Sequence, residues 1–585
     1  MFRVLVSFAF AVVASAQTVC APTPEFKPCD IVFDIPSATG GVGHAIDLEA
    51  EFRSPHNNTG LAKAFWDGGT RWVIRYSAAE PGSYTWRTRG SAPGLAGKEG
   101  QFTATPVDRI GWLRAANTHH FAFLDETNSN NLKPHLWMGA IVPGFASMSE
   151  AQWRSVVDTR AAQHFNHLGI TLVDETAGNF QTPEFFRAAE AKLRYANEKG
   201  IIVDVAFFGP NGLMDRLLPT RADREKWFTY ALSRLAGFDV TWQGIEGWES
   251  YNDGRALLRE INEYVGNLDP YKHPRSTRAA ISSGPLVDDG WLRYRSYQTG
   301  DDAIGAIDQQ VYKYPSVNNF ASDAPDADTF RKRLWNATMN GQYPDAMIPN
   351  EQAANEMKIW YEFMEGTRHW ELEPFFDVGN GRGLSLEEVE YIIYVEKPGP
   401  VTVKLEPHGY DVRWFNPATG QSVKAKEAKS ESFTADPPDR THDWVLQISR
   451  EGHKASMLKS YRFDSREGGI VMQEVEGNPE KVPFDVEQPS SSDQRPDTIS
   501  LASPPPYAIK LTSQKKALQH MMYEWTGEVT IDQRSYRVIG TGANGTFRIP
   551  ADIAKDYPAA LHVHIVGMNA LGKVYALDRN FTLTQ

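Results

Sequence analysis

Cysteine is nearly absent from this chain: Cys20 and Cys29 are the two in 585 residues. That rules out a disulfide-stapled scaffold and a thiolate metal cluster, and it allows at most one bridge, of a structural kind. Long hydrophobic runs are also missing beyond the N-terminus. No later segment reaches the roughly 20 continuous apolar residues that a spanning helix needs, so no membrane span is expected. Positive charge is scarce: 60 Lys and Arg stand against 73 Asp and Glu, for a formal net charge of −13. With no clustered basic run to offset it, that sign repels phosphate backbones and argues against a nucleic-acid partner. No internal repeat is evident. A G-x-S-x-G elbow, a P-loop and a dinucleotide fingerprint are missing in any suitable context, which removes the obvious esterase, kinase and dehydrogenase readings. His119-His120 lacks the i, i+4 spacing of a helical zinc site, and no tight Asp cluster forms a calcium loop, so neither a metal nor a cofactor is expected.

What is present begins with Met1-Phe2-Arg3, an apolar stretch from Val4 to Val13, and Ala14-Ser15-Ala16. This has the layout of a secretory signal over residues 1–16, and a secreted or periplasmic location is expected. At 585 residues the chain exceeds what one hydrophobic core supports, so three or four domains are expected. From Ile31 to Pro106 short alternating runs such as Arg71-Trp72-Val73-Ile74-Arg75-Tyr76 predict a first β-sandwich, residues 17–108. After Asp108, apolar strand-like runs alternate with amphipathic helical stretches, which is the pattern of parallel βα units. Eight strands are predicted within residues 109–387: 135–140, 165–173, 201–208, 245–248, 277–281, 307–312, 315–320 and 346–348. These suggest a (β/α)₈ barrel, although no helix fits between Tyr314 and Pro315. β texture returns in residues 388–450, a second sandwich, and in 451–585, a third β module reached through the Pro/Ser-rich stretch 488–506. The fold class expected is thus a central (β/α)₈ barrel flanked by one N-terminal and two C-terminal β-sandwich modules.

In a parallel barrel the functional groups gather where the strands end. The predicted fourth strand runs into Glu249-Ser250-Tyr251-Asn252-Asp253, and Asp253 is the candidate acid/base carboxyl for glycosidic cleavage. Asn252-Asp253-Gly254 is equally good turn chemistry before a helix. Glu175, Gln310 and Tyr312 stand near other predicted strand ends and are candidates for substrate contact.

The segment Trp248-Glu249-Ser250-Tyr251-Asn252-Asp253 resembles the W-E-x-x-N-[E/D] ending of strand four in the large clan of retaining barrel glycosidases. Trp66-Asp67-Gly68-Gly69 and Glu80-Pro81-Gly82-Ser83-Tyr84 resemble the immunoglobulin-like module ahead of apiosidase-like barrels. Trp414-Phe415-Asn416-Pro417-Ala418-Thr419-Gly420 with Asp443-Trp444-Val445-Leu446 resembles the collagen-binding-type β module that follows them. The resemblance spans roughly residues 45 to 450. It implies a glycoside hydrolase acting on a plant or microbial polysaccharide, with Asp253 as acid/base and with Asn252 and Glu249 at the sugar. It also implies a nucleophilic Glu at the end of strand seven, and two registers compete for that place. If strand seven is 315–320, Asn319 stands at the expected nucleophile and Asp323 is the nearby carboxylate. If strand seven is 344–351, Glu351 fits. The catalytic pair expected is Asp253 with Glu351; the rival expectation is a carbohydrate-binding protein on a barrel that has lost its nucleophile. Oligomeric state is left open.

Overall fold

The computed structural model describes residues 17–584 apart from 19, 36–45, 93, 117, 126–130, 299–301, 320–325, 387, 451–474, 488–497, 501–506, 513–520, 532–533, 542–543, 548–558 and 570–572. The expected signal segment, most of the 488–506 stretch and Asp323 lie outside the described residues.

The N-terminal module is an eight-stranded, mostly antiparallel sheet. Its strand Thr59–Trp66 pairs on one side with Glu49–Arg53 and on the other with Arg71–Ser77. Alternation in Gly82–Arg89 puts Tyr84, Trp86 and Thr88 inside and their neighbours in solvent. Cys20 and Cys29 form the one bridge their number allows.

The barrel follows. Position one is Gly139–Ile141, position two His167–Val173, position three Ile202–Phe208 and position four Val240–Trp242. Position five has no regular strand. Residues 274–278 run beside position four through a parallel bridge from Arg275 to Trp242 and a bond from the Ser276 amide to the Trp242 carbonyl. Positions six, seven and eight are Arg295–Tyr297, Ser316–Asn318 and Gln342–Ala346, and position eight closes on position one by pairing Gly139 with Asp345 and Ala140 with Ala346. Position two is buried along nearly its whole length, as expected of a parallel strand covered on both faces.

The covering helices are α1 (Glu150–Ala162), α2 (Pro183–Glu198), α3 (Arg221–Leu235), α4 (Gly254–Leu268), α5 (Asp302–Val311), α6 (Ala327–Met339) and α7 (Glu351–Glu365). Each reads locally. Thr182 caps α2 by accepting the Phe185 amide, Pro183 starts it, and Phe186, Ala189, Leu193 and Ala196 form one buried stripe.

Three sequence expectations are corrected. Residues 307–312 are the end of α5 and the residue beyond it, not a strand. Position six is Arg295–Tyr297 instead, which supplies the missing helix between positions six and seven. Position seven, 316–318, falls within the expected 315–320, and 342–346 is position eight, so the competing register that made 344–351 strand seven is the one overturned. In addition, strands Glu373–Phe375 and Arg382–Leu386 join the six-stranded sheet that contains Glu390–Val395 and Trp444–Arg450, so the expected boundary at 387/388 falls inside a sheet.

Buried ion pairs fasten the flanking modules to the barrel. Arg75 grips Asp30 in its own module and Glu190 on α2, while Arg234 of α3 meets Glu190 and Asp67. On the other side Arg331 of α6 makes a two-pronged contact with Asp443 and reaches Glu356 of α7. The last sheet packs Val566, Met568 and Val574 on Ala306, Ile307 and Val311 of α5.

Candidate functional site at the barrel mouth

Beyond its regular strand, position four is continued by an isolated bridge from Ile245 to Phe208 of position three, and Glu246 is the next residue. Gly247 then turns the chain with φ of 58°, a conformation that favours glycine, and its amide bonds the Arg278 carbonyl. The fourth position thus delivers Glu246 over the lumen. Its Oε2 accepts the Thr171 hydroxyl of position two at 2.7 Å and lies 3.7 Å from Nη1 of Arg278 in position five. Glu246 is 22% exposed at its side chain, whereas Arg278 is 1% exposed.

Below this carboxylate lies a buried polar column. Asn319, the first residue past position seven, donates its amide to Asp345 Oδ2 at 2.8 Å and accepts the Ser296 hydroxyl. Two glycines make room. A Cβ on Gly169 would stand 2.6 Å from Arg278 Nη2 and 3.3 Å from Asp345 Oδ2, and one on Gly139 would run into Asp345 Oδ1. Deeper still, Asp204 of position three bonds His167 Nδ1 at 2.9 Å and the Thr241 hydroxyl at 2.7 Å, and His167 touches His135 at 2.9 Å. Burial pushes the Asp204 carboxyl up to about 8. Asp345 is pushed up to about 7, first by burial and then by the nearby Asp204 charge. Burial also holds His135 and His167 well below the ordinary histidine range, which keeps both rings neutral near pH 7. Gln243, Arg278 Nη2, Asp204 Oδ2 and Asp345 Oδ1 are buried polar atoms without a protein hydrogen bond, as in a lumen where water supplies partners. Among the described residues no group of three or more His, Cys, Asp or Glu is arranged to hold a metal.

The residues singled out from sequence scatter around this column. Asp253 is an exposed N-cap of α4, its Oδ1 accepting the Ala256 amide at 3.2 Å, and Asn252 beside it is exposed. Glu249 accepts the amides of Ala280 and Ile281, which ties the fourth loop to the fifth position, and burial raises its pKa. Glu175 is on the mouth side but paired with Arg216 in solvent. Gln310 sits on α5 and Tyr312 just beyond it, where its carbonyl meets His119 Nε2 at 3.1 Å. Glu351 is the first residue of α7, 71% exposed at its side chain, and meets Gln163 and Arg160. Those two lie at the end of α1 that feeds position two, the end opposite the mouth. The structure therefore does not bring Glu351 to Asp253. Of the expected residues Asn319 alone belongs to the column; Glu246, Arg278, Asp345 and Asp204 were not anticipated.

The model of a domain of unknown function, DUF5060, matches residues 23–91. The model described as "Putative collagen-binding domain of a collagenase" matches residues 385–449. No curated protein matches the sequence. Among solved structures, a putative glycoside hydrolase from Bacteroides vulgatus is 16% identical, with a TM-score of 0.62 over 74% of this chain and 100% of that one. A family 5 glycoside hydrolase from the same species is 10% identical, with a TM-score of 0.49 over 58% of this chain and 93% of that one. Over 74% of its length the chain thus shares the fold of that first structure. No helix among the described residues is long and apolar enough to cross a membrane.

Proposed function

We propose that this chain is an exported glycoside hydrolase that binds a polysaccharide at the barrel mouth, with Glu246 as the proton donor to the glycosidic oxygen. The observation that carries this reading is the place of Glu246: a carboxyl group directly past position four, over the lumen, held by Thr171 and facing Arg278. Thr171 fixes the carboxyl rotamer, and Arg278, tethered below, supplies a cation beside the charge that Glu246 carries after it gives up its proton. Glu249 and Asn252 stand in the same loop and would line the sugar. Domain limits of 17–108 for the N-terminal module and about 373–450 for the module after the barrel accompany the proposal.

One observation favours a second reading, a carbohydrate-binding barrel without hydrolysis: position seven ends in the amide Asn319, whose side chain is committed to Asp345 and Ser296. Release of reducing sugar from a panel of plant and bacterial polysaccharides separates the two, with Glu246→Gln, Asp253→Asn and Glu351→Gln run beside the wild type. Activity lost in Glu246→Gln and kept in Glu351→Gln supports the proposal. Activity lost in Asp253→Asn but kept in Glu246→Gln moves the acid to the α4 cap, and binding without any release favours the second reading.

A further inference from the structure

A cavity of about 370 Å³ opens at the other end of the barrel, where the strands begin. Its walls come from the strand Trp112–Ala115, the turn that leads into position five, and the residue two before position six. Four cationic residues line it, Arg114, Lys272, Arg275 and Arg293, together with one carboxylate, Asp269. That carboxylate is already spent. Asp269 accepts the indole N–H of Trp242 at 2.9 Å, the amides of Tyr271 and His273 at 3.0 Å each, and Nδ1 of His273 at 3.1 Å. Its role is to fold the turn that carries Lys272 and Arg275.

The Arg275 and Arg293 guanidinium groups are oriented by neutral acceptors. Arg275 donates to the side-chain oxygen of Asn262 at 2.7 Å, and Arg293 donates to the carbonyls of Gly290 and Leu292 at 3.1 and 2.7 Å. Arg114 is braced by the carbonyls of Leu113 and Tyr271. Carbonyl and amide oxygens fix a guanidinium in place without cancelling its charge. The concentration of positive charge is notable in a chain whose overall charge is −13. Burial, and next the neighbouring Arg293, lower the pKa of Arg275 to about 10. The cost of keeping these cations together is what a bound anion would relieve.

We infer that this cavity is an oxyanion-binding site, taking the sulfate, phosphate or carboxylate of a small ligand between Arg275, Arg293 and Lys272. The volume accommodates a single sugar ring bearing such a group, within the range of small-molecule sites. Because it lies where the strands enter and Glu246 lies where they leave, the site is separate from the proposed active site and stands or falls independently of it.

The test measures the thermal midpoint of the full chain in rising sodium sulfate, sodium phosphate or sodium glucuronate, at ionic strength held constant with sodium chloride. The three salts distinguish the oxyanions. The expected result is a saturable rise in midpoint for at least one of them, with the half-saturating concentration raised at least tenfold in Arg275→Gln and in Arg293→Gln. Arg216→Gln, which breaks an exposed pair elsewhere, should bind as the wild type does. Arg293 is exposed, so its variant keeps the test interpretable if Arg275→Gln fails to fold. No saturable rise with any of the three anions, or one equal in wild type and Arg293→Gln, overturns the inference.

Discussion

At the seams between modules Arg75 and Arg234 share Glu190, and Arg331 closes on Asp443 with two hydrogen bonds. In the barrel lumen, by contrast, Asp204 and Asp345 are equally buried but keep oxygens without protein partners, and burial raises the pKa of both. The same residue types are buried in both places. At the seams each carboxylate faces a guanidinium in close geometry, so charge acts as a fastener. In the lumen the Arg278 guanidinium stands 3.7 Å from Glu246 and keeps buried nitrogens without a protein hydrogen bond. That incomplete compensation is the physical ground for the site proposed at the mouth.

Breaking the seam should give the largest change in stability. Asp443→Ala leaves Arg331 buried and short of its main partner, with an expected loss of about 3–5 kcal/mol. Chemical denaturation followed by Trp fluorescence should read that loss, while catalytic parameters of the folded fraction stay as in the wild type. An intermediate effect is expected from filling the lumen. Gly169→Ala puts a methyl group against Arg278 Nη2 and should cost about 1–3 kcal/mol. Unlike the seam variant, it should also lower turnover by displacing the guanidinium from Glu246.

Titration sharpens the same contrast. A carboxyl raised to about 7 in the folded chain keeps a proton that the unfolded chain gives up near the ordinary carboxylate value. Stability therefore falls as pH rises from about 4 towards about 7 and levels off above that. Asp345→Asn cannot ionise, so relative to wild type it should gain stability between pH 4 and pH 8 in urea midpoints. The smallest effect is expected at Glu351. Its exposed contacts with Gln163 and Arg160 should be worth less than about 1 kcal/mol, and Glu351→Gln should shift the thermal midpoint by a degree or two at most.

Much of the barrel was legible because its signals are local. The apolar runs of positions two and three and the cap-and-stripe pattern of α2 are written within each segment. Position six was not legible, since Arg295-Ser296-Tyr297 is three residues long and has no apolar run. Residues 307–312 read as a strand because Ile307 and Val311 look like core. Their partners, Val566, Met568 and Val574, lie some 250 residues away in the sequence and cover α5 from outside. The expected and the proposed acid differ by a shift of a few residues. Extending strand four to Trp248 drew attention to Asp253, whereas the turn at Gly247 ends it earlier and presents Glu246. Asp345 and Arg278 carry no motif, and only barrel closure brings them together.

The most direct measurement pairs Glu246→Gln with Asp443→Asn and reads both variants for polysaccharide cleavage and for thermal midpoint. The account predicts a crossing: cleavage falls by about 10²- to 10⁴-fold in Glu246→Gln with the midpoint nearly unchanged, while Asp443→Asn loses midpoint and keeps its turnover when folded. Full cleavage by Glu246→Gln would contradict the central claim that the lumen carboxylate does the chemistry.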